Sequence, residues 1–159
     1  MTALEDIPFN TSLKNPIDEL AEVKESPIHG WGIFAKKYIP EGTIWWHARP
    51  CDVQILTRDQ FQRLMASRRN EKFEQYIETL LTYSYYAVSF DVMVLCLDNM
   101  RYLNHNADDN SGALETCPDF CSITLRDVRA GEELKEDYRK YAKCSWVDKY
   151  KPQYHCTEF

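Results

Sequence analysis

The amino-acid sequence predicts a mixed α+β fold, mainly β, built from small ribbons. Short β-favouring runs broken by Pro and Gly fill the first third, helical spacing is confined to the middle, and β-branched and aromatic runs return after it. With 159 residues, 44% hydrophobic and 13% aromatic, the chain is long enough for one domain with a real core and lies outside the disordered range.

Residues 1–19 mix Pro8, Pro16 and polar residues without a period, and are expected to form an N-terminal arm rather than a core element. Brief strands are expected around Val23, Ile33 to Phe34 and Ile44 to Trp46. Ile39-Pro40-Glu41-Gly42 places Pro second and Gly fourth, as in a type I turn, and Val128-Arg129-Ala130-Gly131 repeats that punctuation. Thr57 followed by Gln60 fits a capping box and opens a helical insert over 57–81. Phe61, Leu64 and Met65 share one helical face, as do Phe73, Tyr76, Ile77, Leu80 and Leu81; the polar ASRRNEK between them implies two helices. Next, YSYYAVSFDVMVLCL suggests two strands or a bent one, and SITLRDV another. Residues 142–159 form an aromatic tail.

The longest apolar run, Val92 to Leu97, is too short to span a bilayer, and MTALEDIPFN has neither a basic start nor an apolar h-region. An intracellular protein, cytoplasmic or nuclear, is expected, with no membrane partner and with reduced thiols. Cys117 and Cys121, joined by Cys144 and Cys156, could offer four thiolates to zinc, but the short C-x-x-C knuckle is missing and no metal is expected. A net charge of -6 argues against direct nucleic-acid binding and is compatible with a basic protein or peptide partner.

Three stretches stand out. HGWGIFA holds a lone G-x-G at Gly30-Trp31-Gly32, which taken alone is a tight turn beside a packed tryptophan. RYLNHNADDN crowds Asn and Asp around one histidine, which taken alone is a turn-rich loop. GEELKEDY ends on Tyr138, one of ten tyrosines. Their order resembles the SET-domain protein methyltransferases over roughly Leu20 to Tyr141: RYLNHNADDN is similar to the family's R-F-x-N-H-S-x-x-P-N, with Asn106 for Ser and Asp109 for Pro, and GEELKEDY matches G-E-E-L-x-x-D-Y at every fixed position.

The resemblance implies a SET domain at 20–141, made of short twisted sheets with the C-terminal piece threaded through a preceding loop, so that Asn104-His105 meets Tyr138. It implies S-adenosyl-L-methionine as cofactor and a protein lysine, on a histone among other candidates, as methyl acceptor. The backbone of Gly30, Trp31 and Gly32 would approach the methionine part, with Gly giving clearance. Asn104 would bind its amino or carboxylate end, and the His105 backbone the adenine. Tyr138 would orient the amine. Arg101 is a weaker cofactor candidate, a surface charge or ion pair being the simpler reading, and Tyr83 and Tyr85, two apart on an expected strand, would line the lysine channel unless they only pack.

The chain also departs from the family pattern. TIWWHARP stands where many members carry a channel tyrosine, so Trp45, Trp46 or His47 would have to replace it. Glu136 occupies the position where members carry Phe or Tyr and tune the number of methyl groups added; it would draw a charged amine or point to solvent. No C-x-C follows Tyr138, so the cysteine-rich zinc cap is not evident; Trp146, Tyr150, Tyr154 and Phe159 would either fold over the substrate entrance or form a packed terminal helix. Glu136 and TIWWHARP leave a rival, a SET-fold binding module that does not methylate. A third reading keeps the enzyme with a small-molecule or non-histone acceptor.

Overall fold

The computed structural model describes residues 2–67 and 70–154. Phe159 and Cys156 lie outside them. Among the described residues, four α-helices are interspersed with ten strands, which form three small sheets. In chain order these are α1 (Pro16–Leu20), β1 (Ala21–Glu25), β2 (Trp31–Ala35), β3 (Ile44–His47), β4 (Val53–Thr57), α2 (Arg58–Ala66), α3 (Glu71–Tyr83), β5 (Ser84–Ala87), β6 (Val92–Cys96), β7 (Asn104–His105), β8 (Ser111–Leu114), β9 (Cys117–Thr124), β10 (Glu133–Glu136) and α4 (Ser145–Asp148). The sheets run β1-β2-β10-β7, β3-β9-β8 and β4-β6-β5.

β6 explains the apolar run in the sequence. It is the central strand of its sheet and every one of its side chains is buried. Strand alternation sends Val92, Val94 and Cys96 into one core, together with Ile33, Trp45, Trp46, Phe120 and Leu134. Met93 and Leu95 point the other way, into a second core with Phe61, Met65, Ile77, Leu80, Leu81 and Trp146. The helical spacing read from the sequence supplies that second core, although Leu64 and Phe73 are only partly buried and Tyr76 is 37% exposed. Thr57 caps α2 with the reciprocal bonds of a capping box, and Asn70 caps α3.

Two expectations change, and one pair of alternatives narrows. The first twenty residues contribute Ile7 and Ile17 to the main core, and buried Asn15 donates to Asp52 at 2.9 Å, so this segment is packed and not a free arm. The turn at Pro40 sits one residue later than expected: Thr43 N–H donates to Pro40 O, which makes Gly42 the third residue at φ 76°, the type II position that favours glycine. Arg129 to Glu132 closes in the same way, and Ile39 bridges Val128, so the two similar turns stand side by side. The described part of the tail, up to Tyr154, packs on the helical insert, which is one of the two alternatives the sequence left open. Trp146 and Tyr150 stand 5.5 and 5.7 Å from the Phe61 ring, and the Tyr154 hydroxyl donates to Glu74.

Candidate functional site

β10 is where the late motifs meet. It pairs antiparallel with β2 and parallel with β7, setting Lys135 opposite Asn104 and Glu136 opposite His105. Beyond β7 the chain stays against β10: Asn106 N–H donates to Glu136 O, Asn110 N–H to Lys135 O, and the Asn110 amide to Glu133 O at 2.8 Å. The asparagines of RYLNHNADDN thus hold one chain segment against another.

The side-chain amide of Asn104 donates to Trp31 O at 2.9 Å, His29 O at 3.2 Å and Glu133 Oε1 at 2.8 Å. It thereby ties the hairpin loop carrying Gly30 and half-exposed Trp31 to β10, and its Oδ1 remains as an acceptor. Glu133 also accepts from Ser26 Oγ at 2.8 Å. A Cβ added to Gly32 would lie 2.2 Å from Glu133 Oε1, so Gly32 gives clearance to this carboxylate. Because the Asn106 N–H faces β10, strand alternation turns the N–H and C=O of His105 away from it, toward the other side of β7.

His105 Nδ1 accepts from the Tyr138 N–H at 3.0 Å, and their rings are 5.4 Å apart. The Tyr138 hydroxyl donates to the carbonyl of Leu103, the residue just before Asn104. Asp137 caps the turn carrying Tyr138, and the Arg139 guanidinium beside it holds its carboxyl down at about 2. In this 3-10 turn side chains three apart eclipse. Tyr141 accordingly stacks on Tyr138, with ring centroids 5.2 Å apart. Tyr85, from β5, lies 6.5 Å from Tyr141 and donates its hydroxyl to Asp119 O. Burial, and then the charge of Glu136 nearby, pushes the phenols of Tyr138 and Tyr141 up; Tyr85 rises for the same leading reason. All three keep their protons at neutral pH.

Glu136 neither points to solvent nor stands free in the channel. It is 4% exposed and accepts from the Tyr141 hydroxyl and from Ser111 Oγ at 2.7 Å; Ser111 in turn accepts from Trp45 Nε1 at 2.8 Å. Trp45 therefore supports the cluster from behind. Trp46 is pinned to Asp98 at 2.9 Å, and His47 bonds Pro8 O. None of the three thus stands beside Tyr138, whose ring lies against His105 and Tyr141.

Other candidates fall elsewhere. Tyr83 ends α3, 37% exposed, and is not on a strand with Tyr85. Arg101 is exposed and occupies itself with Tyr102, at 2.8 Å to the hydroxyl and 4.8 Å over the ring. Tyr141, Ser111 and Glu133 were not singled out from the sequence as site residues. For Tyr141 the available signal was its spacing of three from Tyr138.

Solved structures share this fold. ctPRC2 in an autoinhibited conformation bound to S-adenosylmethionine aligns with a TM-score of 0.57 at 19% identity, over 86% of this chain and 17% of that one. The Neurospora SET domain protein DIM-5, a histone lysine methyltransferase, aligns at 0.53 and 14% identity, over 81% of this chain and 56% of its own. The methyltransferase domain of human SETMAR, a histone-lysine N-methyltransferase, aligns at 0.50 and 18%, over 74% and 44%. The chain thus spans between a sixth and somewhat over half of these relatives' lengths. No curated protein matches in sequence. The SET domain family model matches residues 30–139, from the first motif glycine to just past Tyr138, and this chain belongs to the SET domain family.

Proposed function

We propose that this chain is an S-adenosylmethionine-dependent protein-lysine methyltransferase acting on a basic protein segment, with a histone tail as the first candidate. The observation that carries this reading is the junction at Leu103-Asn104-His105. The Tyr138 hydroxyl bonds to the carbonyl directly before Asn104, whose Oδ1 is left as an acceptor, so the tyrosine cluster and the cofactor side of the site meet at consecutive residues.

The donor set fits the cofactor. With its N–H groups committed to His29, Trp31 and Glu133, Asn104 can only accept, which selects the amino end of the methionine part rather than its carboxylate. The outward N–H and C=O of His105 suit an adenine edge. When bound, the cofactor supplies a methyl group on a positive sulfonium.

The acceptor amine must arrive without its proton, against a solution pKa near ~10.4. No phenol of the cluster is ionised to take that proton. Exclusion of water by Tyr85, Tyr138 and Tyr141, together with the nearby sulfonium charge, disfavours the ammonium form. Buried Glu136 attracts the incoming cation and opposes this, but its charge is partly balanced by donors from Ser111 and Tyr141. The Tyr138 hydroxyl points its hydrogen at Leu103 O, so its oxygen would accept from the amine N–H and orient it. Alignment of this kind contributes roughly 7–11 kcal/mol in favourable cases.

The chain's net charge of -6 suits a basic substrate, and DIM-5 and SETMAR are histone methyltransferases. The buried carboxylate at Glu136 favours one rival, a SET-fold module that binds a basic segment without methylating it. Calorimetric titration with S-adenosylmethionine, on wild type and Asn104→Ala, followed by mass spectrometry of core histones and lysine peptides, separates the two. Saturable binding lost in the variant, with a mass gain of one or more methyl groups, is the expected result. A folded wild type that binds cofactor but methylates nothing supports the module, and one that binds no cofactor overturns the enzyme.

A further inference from the structure

We propose that His47, Cys117 and Cys121 form a zinc site on the face of the main core opposite the helical insert. A ring nitrogen of His47 and the two sulfurs all lie within 4.8 Å of one another. Ligand atoms of a tetrahedral zinc stand about 3.5–3.8 Å apart, so side-chain adjustments of less than an ångström or so close the site.

The spacing that argued against metal is overcome by the backbone. Residues four apart on a regular strand lie ~13 Å apart. Here Ala113 pairs with Ser122 but Leu114 pairs with Cys117, so one step along β8 matches five along β9. The surplus residues bulge and fold Cys117 back toward Cys121, which itself pairs across the sheet with His47 of β3. The four-cysteine set is not assembled: Cys144 belongs to the second core with Trp146, and Cys156 lies outside the described residues.

The chemistry of the three groups agrees. His47 Nε2 lies 2.8 Å from Pro8 O, an acceptor only, so Nε2 carries the hydrogen and the lone pair of the neutral ring stays on Nδ1. A second ring nitrogen held by a backbone carbonyl is the usual support of a metal-bound histidine. Both cysteines are buried, so their thiols are shielded from solvent. Two thiolates and a neutral imidazole cancel the charge of a divalent ion, as a buried site requires, and this soft donor set suits zinc over magnesium or calcium. Binding expels the two thiol protons to solvent, so affinity rises with pH. A cleft of about 170 Å³ lined by Cys117, Asp6, Pro8 and Asp119 gives an acidic approach to the Cys117 side of the site, and a water would complete the tetrahedron as fourth ligand. The ion would clamp β3 to the bulge that holds Asp119, the residue whose carbonyl receives the Tyr85 hydroxyl.

The test is titration of the reduced full chain with Zn²⁺, and with Co²⁺ as a spectroscopic probe, watching thiolate-to-metal absorption and the melting temperature. One equivalent is expected to bind and raise the melting temperature. Cys117→Ser, Cys121→Ser and His47→Ala should each weaken binding by more than the roughly 10–100-fold typical of an outer-shell change. Cys51→Ser, Cys144→Ser and Cys156→Ser should leave it unchanged. X-ray absorption of the zinc-loaded wild type, independent of any variant's folding, should count two sulfurs and two nitrogen or oxygen neighbours. Absence of stoichiometric binding, loss through Cys144→Ser or Cys156→Ser, a different sulfur count, or a Cys117–Cys121 disulfide that persists under reductant would each overturn the site.

Discussion

The two faces of the β4-β6-β5 sheet are built on different principles. Toward the helical insert, Met93 and Leu95 meet Phe61, Ile77, Leu80 and Trp146, and none of the buried polar or charged residues among those described lies between 53 and 103. Toward the site, the main core is bordered by buried Asn104, Asn110, Ser111, Glu133, Glu136 and Asp137, all bonded to one another or to backbone. One face is held mainly by apolar contact, with directed bonds only at its edge, where Asp91 accepts from Tyr86, Trp146 and Arg58, and the other by directed bonds between short segments. Such polar networks fix geometry, and they are costly when a single member is lost.

The difference is tested hardest by removing Phe61, a fully buried ring at the centre of the insert core. Phe61→Ala should cost about 3–5 kcal/mol in urea unfolding while the folded fraction keeps wild-type affinity for S-adenosylmethionine. If cofactor affinity falls along with stability, the two faces are one cooperative site.

On the site face, charge is the sharper probe. Burial pushes the Asp98 carboxyl up to about 6, against the bond from the Trp46 indole. In the unfolded chain the same group titrates near ~3.9. Between these values the folded state holds the extra proton, so the Asp98 contribution is most favourable below pH ~4 and is lost as pH rises through about 6, by about 3 kcal/mol in all. Asp98→Asn should remove that slope. Subtracting the variant's unfolding free energies from those of wild type across pH 4 to 7 cancels the other carboxylates, and a flat difference would show that Asp98 is ionised throughout.

Tyr138→Phe follows in size. Loss of the oxygen that orients the amine should lower kcat by about 100-fold, the cost of misplacing reacting groups by an ångström, with cofactor affinity within a few-fold of wild type. A parallel loss in Tyr141→Phe would mark both rings as orienting groups. A Tyr141→Phe change that only loosens Glu136 would appear as altered methyl number in mass spectrometry rather than as a lower rate.

How legible each face was follows from the same contrast. Apolar periodicity announces itself, so α2 and α3 could be read from residue spacing, as the Thr57 cap could from Gln60 three residues on; β5 and β6 could be read only as two strands or one bent strand. Directed bonds do not. β7 is two residues long, too short for any pattern, and only the family resemblance of RYLNHNADDN and GEELKEDY placed it against Tyr138. Glu136 could be read only as drawing a charged amine or pointing to solvent, because its burial depends on Ser111 and Tyr141, 25 and 5 residues away. Cys117 and Cys121 looked too widely spaced because nothing in the sequence predicts a bulge that consumes five positions on one strand against one on its neighbour.

The smallest effect is the one most firmly rooted in sequence. Thr57 Oγ1 accepts from the Gln60 N–H at 3.2 Å, and Gln60 Oε1 accepts from the Thr57 N–H at 2.9 Å, closing the capping box where β4 turns into α2. Both bonds are exposed, so water replaces part of what either substitution removes. Thr57→Ala should therefore cost about 1 kcal/mol and Gln60→Ala less. Because the two bonds share one turn, the double variant should lose less than the sum of the singles. Additive losses would mean that each bond acts alone and that the helix start is set by Phe61 packing beneath it rather than by the cap.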